Sequence, residues 1–399
     1  MERNLRFLPV HQILASSLVW LPVFVLFTRA RFDLDGALLL ASLYYFFVVA
    51  LEVPSGWMSD RLGRVITLRI AALCWIGAQA FFAIGGDSFG LIMLGQLFLA
   101  GGFASLSGTD VTFHYDTLEE LALESEYVQR QARLSSIGYG ATALSAVVGG
   151  SLGLIDVRWA FAVACVVAVA QFGVTLLLSE PSGGLHAEPF VQQLRLCLGY
   201  LRERYLGWIF FYGVIMVTLA HVAFTLMQPW LTEVLGNNST DIGATPLLSG
   251  LLFAAVSLFG AAAARSSAPL SERFGVVLTL IGMAAVSALI VTAMALSTHV
   301  AVLGVVVFRS AQGAVAPVLI SAAVAERTER HHRATLLSMN SLAGRLGYGL
   351  VLLWVSAGAV DDAQRVLGLF SLVAWILVAV LVATAALAIG TLRVDGEHR

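Results

Sequence analysis

Apolar positions along this chain form neither the one-sided stripe of a soluble helix nor the alternation of a strand. They gather into long runs broken by short polar clusters, at about 7–28, 36–57, 66–86, 89–113, 135–155, 158–179, 207–230, 246–265, 274–297, 299–323, 335–358 and 366–391. Each run is close to the roughly 20 residues a helix needs to cross a bilayer. Lipid leaves every backbone group to be paired within the chain, so only helices and closed barrels span it, and runs of this length are not the shorter alternating segments of a barrel. The pattern predicts an all-α membrane protein of twelve transmembrane helices.

The longest polar stretch, about 180–206 and opening at Glu180, separates six runs from six. It carries Pro181, Ser182, Gly183 and Gly184 and continues into 190–205, where apolar and basic positions alternate at helical spacing. Such a helix either lies along the inner membrane surface or ties two halves together as a solvated linker. The expected organisation is an N-terminal six-helix bundle over 1–180, a cytoplasmic linker over 181–206 and a C-terminal six-helix bundle over 207–399.

Composition agrees. Hydrophobic residues make up 59% of the 399 and charged residues 12%, with mean hydropathy +0.87, against about 45–50% apolar in a soluble domain. A net charge of −2 gives no electrostatic footprint for nucleic acid. Cys74 and Cys165 lie in apolar runs and Cys197 in the connecting stretch, without the spacing of a zinc site or disulfide framework, so they read as packing residues. His331 and His332 form a pair without carboxylate or cysteine partners at ligand spacing, and no metal or cofactor is expected. The first run follows a short polar start with no small-residue cleavage site and is expected to be a retained helix.

All 23 basic residues are arginine, which, with abundant Ala, Gly, Val and Leu, fits a GC-rich bacterial genome and an inner-membrane location. Their distribution sets topology, because short loops rich in Arg stay in the cytoplasm. With the N-terminus inside, Arg3, Arg6, Arg61, Arg64, Arg69, Arg130, Arg133, Arg195, Arg202, Arg204, Arg265, Arg273, Arg327, Arg330, Arg333, Arg393 and Arg399 all fall on the cytoplasmic side. Only Arg29, Arg31, Arg158 and Arg365 fall outside. Both termini are therefore expected in the cytoplasm.

Between the second and third runs stands Gly56-Trp57-Met58-Ser59-Asp60-Arg61-Leu62-Gly63-Arg64. Gly56 is expected to let helices approach, Gly63 to permit a tight turn, and Asp60 at a helix end to pair with an arginine or a helix N-terminus. A degenerate copy, Ser271-Glu272-Arg273-Phe274-Gly275, follows 212 residues later and aligns Glu272, Arg273 and Gly275 with Asp60, Arg61 and Gly63. This internal repeat, at the same place in each half, resembles the G-x-x-x-D-R-x-G-R loop of the major facilitator superfamily (MFS). Glu52-Val53-Pro54-Ser55-Gly56, Tyr115-Asp116-Thr117-Leu118 and Arg333-Ala334-Thr335-Leu336-Leu337-Ser338 resemble further stretches of its drug-exporter-like members.

The resemblance implies two pseudo-symmetric bundles rocking around a central cavity, the third helix of each triplet lying outside. It also implies a cytoplasmic charge cluster in which Asp116 joins Asp60, Arg61 and Arg64. Two departures stand out. The antiporter proline of the fifth helix is missing from Ala141-Thr142-Ala143-Leu144-Ser145-Ala146-Val147-Val148-Gly149-Gly150, and the arginine of the fourth helix is replaced by Gln96, while Arg309 stands in the tenth run.

Ionisable residues at membrane depth are costly, by about 2.5–3.5 kcal/mol, and face the protein interior or water. Here they are His11, Glu52, Asp110, His114, His221, Arg309 and Arg345, with none at depth in runs 3, 6, 9 and 12. Arg309 lies about 13 Å along its run, near the midplane. It either binds an anionic group or makes an interhelical clamp, and Arg345 beside Gly344 and Gly347 has the same two readings. Glu52, Asp110 and His221 are the candidates for proton coupling. Arg309, Arg345, His11, Gln12, Tyr139 and Gln228 are the candidates for a substrate cavity. Without a phosphate-binding loop, a zinc-protease helix or a nucleophile elbow, ATP-driven pumping and hydrolysis lack visible chemistry, so no enzyme is expected.

The functional expectation is a monomeric secondary transporter, most simply one that exports a small hydrophobic or amphipathic molecule against protons. The alternatives are symport or uniport of a small metabolite into the cell, and a membrane sensor without flux.

Overall fold

The computed structural model describes all residues except 124–125, 182–189, 238–241, 264–265, 329–332, 358–362 and 397–399. The side chains of Asp60 and Arg61 also lie outside the described set, as do Arg265, His331 and His332. Every regular element described is helical. In chain order they are α1 Glu2–Ser16, α2 Phe24–Leu62, α3 Arg64–Ile84, α4 Phe89–Leu106, α5 Thr109–Glu120, α6 Tyr127–Gly153, α7 Val157–Leu176 and α8 Phe190–Tyr200. They continue with α9 Arg204–Asn237, α10 Thr245–Ala263, α11 Ser267–Phe274, α12 Val276–Leu296, α13 Val302–Val306, α14 Ser310–Arg327, α15 Arg333–Ala357 and α16 Ala363–Gly396.

Among the described residues, nine stretches are long and apolar enough to cross a membrane. The first, Glu2–Glu52, contains more than one helix: α2 is broken where Asp33 takes φ 54° after Phe32, between the first two predicted runs. The Arg31 guanidinium holds this corner, donating to the carbonyls of Phe27 (2.9 Å) and Gly86 (3.0 Å). α6 and α15 are absent from the nine because Gly, Ser and polar residues dilute their apolar content.

Three run boundaries differ from expectation. The fourth run divides at Ser107–Gly108, where Gly108 has φ 76° and α5 restarts at Thr109. The tenth is interrupted by a 3-10 turn, Val307–Arg309. The amphipathic helix stops at Tyr200, so Tyr205 belongs to α9 rather than to the linker.

The chain divides into two compact units. The first comprises Met1–Ala187, Asp241–Leu258 and Leu352–Ala357. Its core forms where α3 packs on α4 and α7, with Phe27, Phe82, Phe161, Trp75 and Ile92 buried. Phe27 and Phe161 lie 4.6 Å apart between ring centroids. The second comprises Glu188–Thr240, Phe259–Val351 and Gly358–Arg399. Here α12 and α9 pack on α16 around Trp208, Tyr212, Leu280, Leu319 and Leu381. Leu73, Val166, Leu289 and Leu372, on α3, α7, α12 and α16, are at least half exposed. Apolar side chains on the outside as well as the inside are what a helix solvated by lipid requires.

Candidate functional site

The α2–α3 loop of the first unit is built from backbone geometry upward. Gly63 has φ 106° and ψ 155°, a conformation open essentially only to glycine. The turn points the first N–H groups of α3 outward, where no intrahelical acceptor exists. Glu180, just beyond the end of α7, supplies one: its carboxylate accepts from Arg64 N at 2.5 Å and Val65 N at 2.7 Å. A carboxylate at a helix N-terminus is favoured both by these bonds and by the helix dipole.

Arg64 then turns its guanidinium into the unit. It donates to Ser59 Oγ (2.9 Å) and lies 3.4 Å from Asp116 Oδ2, both partners about one-fifth exposed. Thr109 donates to the same Ser59 (3.1 Å). The expected meeting of Arg64 with Asp116 is present. Asp60 and Arg61, whose side chains lie outside the described residues, carry no statement here.

Glu180 is itself held from the other end of the chain. Asn4, fully buried, donates to Ser179 O at 2.8 Å and accepts from Ser179 N at 2.9 Å, while Arg3 donates to Ser179 Oγ at 2.7 Å. Asn4, Ser179 and Glu180 escaped the sequence analysis. Glu180 was assigned to the edge of the linker, and its distance of 116 residues from Arg64 hides the contact. Replacing Glu180 by Ala is expected to destabilise the protein by about 0.5–2 kcal/mol, the cost of losing a helix cap. Thermal unfolding in detergent measures it; Glu180→Gln, which keeps an acceptor oxygen, should recover part of the loss.

Gly56 corrects an expectation. It is exposed, and among the described residues nothing lies within 4 Å of where its Cβ would be, so it brings no helices together. Close approach occurs instead at the small residues of α6. A Cβ on Gly149 would fall 1.8 Å from the carbonyl oxygen of Val19, and one on Gly150 2.5 Å from that of Pro246. Gly250 approaches Ala146 O in the same way, at 2.3 Å, and Ser249 donates to Pro22 O at 2.7 Å.

Among the described residues, the degenerate copy repeats the turn but not the charge cluster. Gly275 has φ 76° and follows α11 as Gly63 follows α2. Thr67 caps Gly63 O (2.9 Å) and Thr279 caps Gly275 O (2.8 Å), again 212 residues apart. Glu272 and Arg273 are exposed, and among the described residues Glu272 makes no ion pair; Arg273 lies against the Phe274 ring. Among the described residues, Arg327 of the second unit pairs with Glu203 at 2.5 Å, over the Tyr205 ring.

The candidates at membrane depth fall into two groups. In the first unit His11 is buried against Gln171 of α7 (3.4 Å), and Gln12 donates to Ser16 (3.0 Å). Glu52 is half-buried, with its carbonyl accepting from Ser55, and Asp110 caps its own helix start by accepting from Val111 N (2.8 Å). Tyr139 is exposed. In the second unit His221 donates from Nδ1 to Val217 O (2.6 Å), Arg309 stacks on Phe224, and Gln228 is buried. Arg345 lies with Arg309 within electrostatic reach of His221. Buried Gln79 and Gln171 give no sign of themselves in the sequence, since an amide in an apolar run has no periodic signal.

Long apolar helices with apolar outer faces, few charges at depth and a charged hinge between the second and third spans define a multi-pass membrane transporter. Residues 12–352 match the sequence model of the Major Facilitator Superfamily, and the chain belongs to that family. It is a membrane transporter of small molecules. A variant of the nucleoside transporter NupG superposes with TM-score 0.79 at 15% identity, covering 95% of this chain and 99% of its own. A variant of the peptide transporter POT gives 0.74 at 12%, covering 97% and 94%. An auto-inhibited POT-family peptide transporter gives 0.69 at 14%, covering 96% of both. No curated protein sequence matches the chain. At these identities the likeness is one of fold.

Proposed function

We propose that this transporter carries twelve membrane helices in two pseudo-symmetric bundles, 1–180 and 207–399, joined by a cytoplasmic linker. Both termini lie in the cytoplasm of a bacterial cell, and the chain works as a monomer in the inner membrane by alternating access. Twelve spans are supported by counting α1 with α2 up to its break at Asp33, α2 beyond that break, α4 with α5, and α13 with α14 each as one crossing, beside α3, α6, α7, α9, α10, α12, α15 and α16. The leading activity is proton-coupled export of a small hydrophobic or amphipathic molecule.

The observation that carries this reading is the Arg64–Asp116–Ser59 cluster with its Glu180 cap. It joins α2, α3, α5 and the end of α7 at the loop expected to face the cytoplasm, where it makes a latch that can open and close. Glu52 and Asp110, both half-buried, are the proposed proton-coupling carboxylates, with His221 a third candidate. Import of a small metabolite is the second reading, favoured by the missing proline of α6.

The test is a growth profile across a broad compound panel in an efflux-deficient bacterial host expressing the wild type, Arg64→Gln or an empty vector. Raised tolerance in the wild type alone supports export. Unchanged tolerance or heightened sensitivity sinks export and favours import.

A further inference from the structure

The second unit brings three basic side chains together around aromatic rings at membrane depth. α15 lies directly on α9 because its glycines allow it: a Cβ on Gly344 would meet Val217 at 2.7 Å, and one on Gly347 would lie 3.8 Å from Thr218 Oγ1. One residue further, the fully buried Tyr348 locks the pair: its hydroxyl donates to His221 O (2.9 Å) and accepts from the Thr225 hydroxyl (2.6 Å). Arg345, one turn before Tyr348, shares its face. The His221 ring is fixed by its bond to Val217 O and packs between Tyr348 (5.3 Å) and Phe224 (6.4 Å).

From the other side Arg309 reaches over Phe224, its guanidinium carbon 5.3 Å from the ring centroid. It stands at the end of the 3-10 turn that interrupts the tenth span, a backbone irregularity of the kind found at functional positions. Arg309 lies over Phe224 of α9, and Arg345 stands between Gly344, which packs on Val217, and Tyr348, which meets His221, so groups from α9, α15 and the start of α14 share one neighbourhood.

The ionisable side chains named in that neighbourhood are all basic, and the acidic residues of α9 and α14, Glu233 and Glu326, stand twelve residues beyond His221 and seventeen beyond Arg309. Guanidiniums fork onto carboxylate, sulfonate and phosphate oxygens and stack on aromatic faces, which an ammonium does not match. Gln312, one turn beyond Arg309, is buried with its side-chain oxygen unpaired among the described residues, an acceptor suited to a hydroxyl or amide N–H.

We propose that the Arg309–Arg345–His221 cluster binds the anionic group of the transported solute, a carboxylate, sulfonate or phosphate on an aromatic or apolar body. This rests on the transport reading above and narrows its amphipathic solute to an organic anion. Phe224 and Tyr348 flank the charged group, and Gln312 accepts a hydrogen bond from the body.

The test compares matched pairs on the purified full-length protein in nanodiscs: naphthoate against naphthamide, naphthalenesulfonate against naphthalene and phenyl phosphate against phenol, read as thermal stabilisation against concentration. The anion of at least one pair should stabilise where its neutral partner does not. Arg309→Gln or Arg345→Gln should weaken that effect at least tenfold, and Arg309→Lys should restore part of it. Equal stabilisation by neutral partners, stabilisation by no member of the panel, or survival of the anion effect in the double Gln variant overturns the assignment. If the variants do not fold, the wild-type pairs still decide. The growth profile separates the two readings: tolerance limited to neutral compounds keeps export and removes the anion site, whereas anion binding without tolerance keeps the site and removes export.

Discussion

Gly149→Ala is expected to cripple the protein, lowering its stability by about 1–3 kcal/mol or more through overpacking. The added methyl would lie 1.8 Å from the Val19 carbonyl oxygen and 3.2 Å from the Pro22 ring. Neither neighbour yields cheaply, because the first is backbone and the second is a proline at the break between α1 and α2. α6 must therefore withdraw from that corner. Withdrawal also disturbs Gly150 and Gly153, which sit against Pro246 on α10, and with them the bond from Ser249 to Pro22 O. Gly140→Ala is the control on the same helix: nothing lies within 4 Å of its Cβ position, so the substitution should be neutral or stabilise by up to about 1 kcal/mol. Expression yield and thermal unfolding measure both. Equal behaviour of the two variants would show that α6 does not pack as described.

Gly63→Ala carries the second large effect, and for two separable reasons. Alanine at φ 106° and ψ 155° pays backbone strain of about 1–3 kcal/mol. Its Cβ would also lie 2.8 Å from the Glu180 carboxyl carbon, displacing the cap from the start of α3. Transport should fall at least about tenfold, because 1.4 kcal/mol at the latch is already that factor in a conformational equilibrium. The two causes can be told apart by a double-mutant cycle with Glu180→Ala. Removing the carboxylate relieves the collision but not the strain, so the double variant should lose less than the sum of the singles. Strict additivity would mean that Gly63 and Glu180 do not interact. Thermal unfolding supplies the cycle, and flux into proteoliposomes supplies the transport arm.

The loop that proved most informative shows where linear reading stops. Its glycine, arginine and acidic partner were legible because they sit at motif spacing, and Arg64 does meet Asp116. Glu180, Ser179 and Asn4 complete the same structure from α1 and from just beyond α7. No spacing rule connects residues brought together only when α1 and α7 pack side by side. Gly56 failed in the opposite sense. The motif invited a close helix contact there, yet the tight approaches occur at Gly149, Gly150 and Gly250, which the sequence shows only as small residues in apolar runs. Glu272 likewise matches Asp60 in the repeat but stays exposed, while Glu203 and Arg327 form the pair of the second unit.

By itself the sequence determined that this is a multi-pass membrane protein, that its chain is helical, where most of its helices begin and end, and that a glycine turn recurs 212 residues on. These follow from local physics, since hydrocarbon forces backbone pairing within each span and a positive-φ turn calls for glycine at that one position. Tertiary structure decided which glycines are contacts, which carboxylate caps α3, and which of the charges at depth share a neighbourhood. Those outcomes depend on helix rotation and on packing between segments more than 100 residues apart, and a shift of one residue turns a side chain by about 100° around its helix.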